Sequence, residues 1–174
     1  MKRFASCAMA GMCALAIFGA GQRALAQTQS KDEQEIRALE DKFAAAFNAE
    51  DVDAIMKFYV PGNELFVFDV GIPRQHVGWE NYKKDWQDFL AGFKGPIHFE
   101  LSDLSLTSDG RIAYGHNIQH VTGTARDGSP IDFTVRVTDV YRKIDGKWLI
   151  VQEHVSVPLD FSGPKPVPDM MSKP

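Results

Sequence analysis

The sequence predicts an α+β domain in which three helices come first and a curled antiparallel sheet follows. Three observations carry this. Apolar residues step by three and four through residues 31–48 and again from Trp79 to Phe89. After Pro96 the pattern changes to four extended runs, Ile97–Leu106, Arg111–Thr124, Ile131–Ile144 and Lys147–Val157. The joints between those runs hold Asp109-Gly110, Asp127-Gly128 and Asp145-Gly146, and Asp-Gly tolerates the positive φ that a tight hairpin needs. Helices grouped before strands cover one face of the sheet and leave the other to solvent or a partner.

Residues 1–26 stand apart from this domain. Lys2 and Arg3 open the chain, an apolar run rich in small residues follows from Phe4 to Ala20, and Ala24-Leu25-Ala26 matches a small-x-small cleavage pattern. These are the marks of a secretory signal peptide cut after Ala26, and the run is shorter than the roughly 20 residues a membrane-spanning helix needs. The expected location is secreted or periplasmic. Cleavage leaves 148 of the 174 residues, the length of one ordinary domain. Lys2, Arg3 and Arg23 leave with the leader and no acid does, so 19 basic and 23 acidic residues become 16 and 23, a net charge of −7. That balance argues against nucleic acid, whose phosphates require a basic face. Cys7 and Cys13 both lie in the leader, so the mature domain is expected to hold no disulfide, thiolate nucleophile or cysteine metal site.

The elements follow in order. Ser30 and Glu33 form a capping box, and Ile36, Leu39, Phe43 and Phe47 then make an amphipathic helix over residues 31–48. Asp51 caps a second, short helix that uses Val52, Ile55, Met56 and Tyr59, and Pro61-Gly62 ends it. Leu65 to Phe68 is a short strand running into Asp69, and Pro73 and Gly78 bracket an irregular link. The third helix carries Trp79, Tyr82, Trp86 and Phe89 on one stripe and closes at Gly92 and Gly95. The four strands of the meander come next. Lys147–Val157 has no plainly wet face, so it is expected to be a middle strand with helices or a cavity on one side and a second subunit on the other. Strict alternation puts Leu149, Val151, Glu153 and Val155 on one of its faces and Trp148, Ile150, Gln152 and His154 on the other. Residues 159–174 are rich in proline and polar residues and are expected to form a flexible tail. The chain shows no internal repeat.

The stretches IRALEDKFAAAFNAEDVDAIMKFY and DVYRKIDGKWLIVQEHVS, with the tryptophans of the third helix between them, resemble the nuclear transport factor 2-like superfamily. Within it they are most similar to the SnoaL-like and ketosteroid-isomerase-like branch. The resemblance covers about residues 31 to 158. It implies a cone-shaped α+β fold, with three N-terminal helices packed on a strongly curved, mostly antiparallel sheet in the order α-α-β-α-β-β-β-β. It also implies a small-ligand cavity between helices and sheet, and a homodimer formed through the outer sheet face. Such folds serve isomerases, cyclases, dehydratases, binding modules and oligomerisation domains alike. The steroid isomerase uses a tyrosine on its first helix, an aspartate base after the second and a protonated aspartate in the sheet. The resemblance sets these on Phe43, which has no hydroxyl, on Asp69 after a short insertion, and on Asp139. It therefore implies cofactor-free proton transfer but not steroid isomerisation. The association domain of calmodulin-dependent kinases is also similar, through IAYGHN and the DGKW…HVS ending. Its pocket arginines fall on His116, Asp139 and Val155, so its basic pocket is not reproduced.

Asp69, His116 and Asp139 are thus the expected catalytic residues, and Tyr59, Trp79, Tyr82, Trp86, Tyr114 and Glu153 the expected ligand contacts. Asp139 sits in an apolar row with Phe133, Val135, Val137 and Tyr141, where burial would raise its pKa. An ion pair with His116, Arg136 or Arg142 would serve it equally. Glu153 either approaches the cavity mouth or pairs with Arg136, Arg142 or a lysine at the sheet margin. Asp69 either faces the pocket or stabilises a turn before Gly71. His116 is a general-base candidate or a hydrogen-bonded core residue. Arg74 and His76, in the link before the third helix, are candidates for the cavity mouth but are expected to be exposed. No metal is expected: His116 and His120 lie roughly 13 Å apart on a strand, at about 3.3 Å per residue. No cofactor fingerprint, phosphate loop or nucleophile elbow is present.

Overall fold

Helix α1 (Lys31–Asn48) starts at the sequence-predicted cap. Ser30 Oγ accepts from the Glu33 amide at 3.1 Å, and the Glu33 carboxylate accepts from the Ser30 amide at 2.9 Å. Ile36, Leu39, Phe43, Ala46 and Phe47 form its buried stripe, and Glu40 is buried with them. Helix α2 (Val52–Ile55) is a single turn whose cap, Asp51, accepts from the Ala54 amide at 2.9 Å; a 3₁₀ turn carries it to Phe58. Helix α3 (Trp79–Ala91) buries Tyr82, Trp86 and Leu90. The computed structural model describes residues 30–158; the expected leader at 1–26 and the expected tail at 159–174 lie outside the described residues.

The strands are β1 (Phe66–Phe68), β2 (His76–Val77), β3 (His98–Ser108), β4 (Ile112–Thr124), β5 (Pro130–Ile144) and β6 (Lys147–Ser156). They make one sheet in the order β2-β1-β6-β5-β4-β3, with β6 a middle strand. Every neighbouring pair is antiparallel except β1 with β6, which run parallel. The two-residue β2 goes beyond the predicted order, because two residues are too few to show a period. The turn between β5 and β6 places both Asp145 and Gly146 at positive φ, as its Asp-Gly dipeptide implies.

Two bulges curl the sheet. Between Ser102 and Ser105 an extra residue enters β3, where Asp103 takes a φ of 54°. In β6, Gln152 faces Val140 while Ile150 faces Tyr141, so Val151 is the extra residue. A bulge bends its strand and shifts the alternation by one residue. Trp148, Ile150 and Glu153 consequently share the buried inner face. Strict alternation had put Glu153 opposite the other two, and the bulge corrects that expectation.

The three helices lie against the concave face and build an aromatic core with it. Phe47 of α1 stacks on Phe99 of β3 with ring centres 4.3 Å apart, and Trp86 of α3 meets Phe47 edge-on at 5.2 Å. The Asn48 side chain pairs with the Phe99 backbone in both directions, at 2.8 and 3.0 Å, which ties the end of α1 to the sheet.

Candidate functional site

The inner face of the sheet carries an unusual row of polar side chains. Pairing sets Asp139 of β5 beside Gly115 of β4 on one side and Glu153 of β6 on the other. Glu40 reaches them from α1. All three carboxyls are at most 4% exposed. Glu153 accepts a hydrogen bond from Tyr59 Oη at 2.8 Å and another, very short, from Tyr82 Oη. Glu40 accepts from Tyr141 Oη at 2.7 Å. That oxygen also lies 3.3 Å from Asp139, and Asn117 Nδ2 approaches Asp139 at 3.5 Å. A phenol has a single proton to donate, and the shorter contact assigns it to Glu40.

No cation pairs with any of these carboxyls among the described residues. No opposite charge therefore offsets the cost of burying the charged form. That cost pushes Glu153 and Glu40 up to about 7, even though the tyrosine hydrogen bonds work in the other direction. Burial pushes Asp139 well above the ordinary carboxylate range, and the adjacent Glu153 and Glu40 push it further. The ion pairs expected for Asp139 and Glu153 are not formed. Arg142 pairs with Glu64 at the surface, Arg136 is exposed, and tyrosines take the place of cations around Glu153.

Glu153 forms part of the wall of a cavity of about 290 Å³ between helices and sheet. That is close to the lower bound of roughly 300 Å³ for small-molecule pockets. Its walls are Phe43, Phe47, Tyr82, Trp86, Phe89 and Phe133 with Val121, Val135 and Val155. The polar lining is Asp69, His76, Asp85, Gln119 and Glu153. His76 is buried, with Nε2 3.7 Å from Asp85 Oδ1 and its ring 5.6 Å from that of Tyr82. Burial raises the Asp85 pKa, and the nearby His76 opposes that rise.

The structure brings some of the expected residues together and separates others. Asp69, Tyr82, Trp86 and Glu153 line the cavity. Tyr59 and Asp139 are buried outside the lining, with Tyr59 bonded directly to Glu153. Trp79 is not in the lining; its indole N–H donates to the Met56 carbonyl at 2.8 Å and Lys83 sits over its ring. Tyr114 and His116 are corrected outright. Both are exposed on the outer sheet face, because β4 alternation turns Ala113, Gly115 and Asn117 inward instead. His76, expected to be exposed, is only 6% exposed. Glu40 and Asp85 were not singled out. Glu40 had a signal: it lies four residues after Ile36 and three before Phe43, inside the apolar stripe of α1. Among the described residues no group of three or more His, Cys, Asp and Glu side chains is arranged to hold a metal ion.

A sequence model of the SnoaL-like domain matches residues 36–160. The chain belongs to the SnoaL-like family. Solved structures similar to this SnoaL-like domain share its nuclear transport factor 2-like cone. A nuclear transport factor 2-like protein of unknown function from Pseudomonas putida KT2440 is 26% identical, with a TM-score of 0.70 over 78% of this chain and 93% of that one. A nuclear transport factor 2-like superfamily protein from Salmonella enterica is 19% identical, with a TM-score of 0.67 over 77% of this chain and 96% of that one. A ketosteroid isomerase-like protein from Erwinia carotovora atroseptica is 17% identical, with a TM-score of 0.63 over 74% and 97%. No curated protein matches the chain.

Proposed function

We propose that this SnoaL-like domain binds a small, largely apolar ligand in its cone and moves a proton on it without a cofactor. Isomerisation, dehydration and ring closure are the reaction types that such a site serves. One observation carries the reading: an aromatic cavity has the Glu153 carboxyl in its wall, clamped by two tyrosine hydroxyls. A carboxyl pushed up to about 7 is divided between acid and base near neutral pH, which is where proton transfer in both directions is efficient. Tyr59 and Tyr82 orient it. Asp139, buried behind the wall, has its pKa held well above the ordinary carboxylate range by burial and by the adjacent Glu153 and Glu40. Asp69, His76 and Asp85 supply further polar contacts to the ligand. Phe43 lines the cavity without a hydroxyl to offer an oxyanion, which disfavours steroid isomerisation itself.

The test is a thermal-shift screen of small carbonyl, aromatic and terpenoid compounds, followed by NMR of each hit in deuterated water. Wild-type protein is expected to exchange an activated C–H of the ligand, and Glu153→Gln to bind without exchanging it. Hits that bind but never exchange would defeat the catalytic reading. They would leave a non-catalytic binding or oligomerisation module, which one observation favours: Glu40 and Glu153 already have tyrosine donors inside the protein. We further propose export after cleavage at Ala26, to be read by N-terminal sequencing of the mature protein. A homodimer through the outer sheet face is proposed from the exposed Ile112 and Tyr114 there. Sedimentation showing monomer alone at high concentration would refute it.

A further inference from the structure

We propose that the ligand of this cavity is a small apolar cation carrying at least one N–H, a protonated amine on an aromatic or aliphatic body. The proposal rests on the pocket reading above and names the ligand class for that same site.

Charge is the first argument. Asp69, Asp85 and Glu153 line the cavity, and no lysine or arginine does. An anion would meet three carboxyls in a desolvated space, whereas a cation would meet opposite charge there. Glu153 has tyrosine hydroxyls as partners and Asp85 has His76 at 3.7 Å, so a ligand cation adds a full opposite charge beside carboxyls that have none from a lysine or arginine of the lining.

His76 provides a second, independent argument. It lines the cavity, is 6% exposed, and makes no hydrogen bond among the described residues. Its Nε2 stands 3.7 Å from Asp85 Oδ1, beyond hydrogen-bond reach. In its neutral form an imidazole offers one ring nitrogen as an acceptor, and an ammonium N–H is a matching donor. A quaternary ammonium would leave that nitrogen unmatched.

The walls fit the same ligand. The faces of Phe, Tyr and Trp carry negative quadrupole density that attracts a cation, and the attraction grows when water is excluded. Six such rings line the cavity with the carboxyls. A bound cation also favours the ionised form of Glu153, so ligand entry would itself generate the base that the proposed reaction needs.

The test compares three probes of nearly equal shape by calorimetry or NMR titration: 2-phenylethylamine, 2-phenylethanol and 3-phenylpropanoate. The amine is expected to bind at least about tenfold more tightly than the alcohol, with no binding of the carboxylate. Glu153→Gln is expected to bring the amine-to-alcohol affinity ratio down to about one. Asp85→Asn is expected to reduce it, and serves if the first variant fails to fold. An alcohol that matches or exceeds the amine overturns the proposal and leaves the pocket reading standing, as does tightest binding of the carboxylate. Failure of all three probes overturns both.

Discussion

Stability is expected to fall as pH rises from 5 to 8, and Glu153→Gln is expected to remove part of that fall. Burial holds the Glu153 proton to about pH 7, whereas the unfolded chain releases it near the ordinary 4.5. Between those values the folded state binds more protons, so raising the pH favours unfolding. Stability from this group is complete below pH 4.5 and lost as pH climbs through about 7. At about 1.4 kcal/mol per pH unit, the interval amounts to about 3 kcal/mol. Glu40, raised to about 7 by the same burial, adds a loss of similar size. Asp32 and Glu35 move the opposite way, held low by hydrogen bonds from Lys143, and their contributions disappear at acid pH, outside this window. A glutamine at 153 keeps one oxygen to accept one tyrosine hydroxyl, turns an N–H toward the oxygen of the other, and never ionises. At pH 5 it is expected to match wild type within about 1 kcal/mol, and at pH 8 to exceed it by up to about 3 kcal/mol. Urea unfolding followed by tryptophan fluorescence at pH 5, 6, 7 and 8 reads both. Wild-type stability that is flat or rising over this range, or a variant indistinguishable from wild type at pH 8, would refute the reasoning.

Tyr82→Phe deletes one of the two donors to Glu153 and is expected to cost about 1–3 kcal/mol in urea unfolding. It also removes a bond that favours the charged form, so the Glu153 carboxyl resonance should titrate at higher pH than in wild type. His116→Ala acts on an exposed outer-face residue and is expected to change stability by no more than about 0.5 kcal/mol. A tenfold loss of ligand affinity in that variant would contradict its placement. Deletion of Val151 removes the β6 bulge and forces either Glu153 or the Trp148–Ile150 pair out of the interior. A stability loss above about 4 kcal/mol is expected, and a variant that unfolds like wild type would show that the bulge does not set the inner face.

Features written in local chemistry were readable directly. The Ser30–Glu33 box, the Asp51 cap and the Asp-Gly turns each need only a few adjacent residues, and all formed where the sequence puts them. Asp139 was legible because β5 alternates cleanly, so Val135, Val137 and Tyr141 carry it inward. Strand β4 misled for the opposite reason. Its inner face holds Ala113, Gly115 and Asn117, while Tyr114 points out. The inner residues are small because the space is already taken: a Cβ on Gly115 would lie 2.7 Å from Leu106 and 3.4 Å from the Tyr141 ring. A face that is crowded from across the sheet must be built of small residues, and a period-two reading of hydrophobicity then inverts. His76 and Glu153 depend on still more distant causes. His76 is buried in a two-residue strand that exists only by pairing with β1, and Glu153 faces inward only because a bulge intervenes. Glu40, Asn117, Asp139 and Glu153 are the places where an apolar pattern is broken by a buried polar group. Local rules fail most often where a fold has been bent toward a task, and in this chain Glu153 stands in one wall of the cavity with Glu40, Asn117 and Asp139 buried outside its lining.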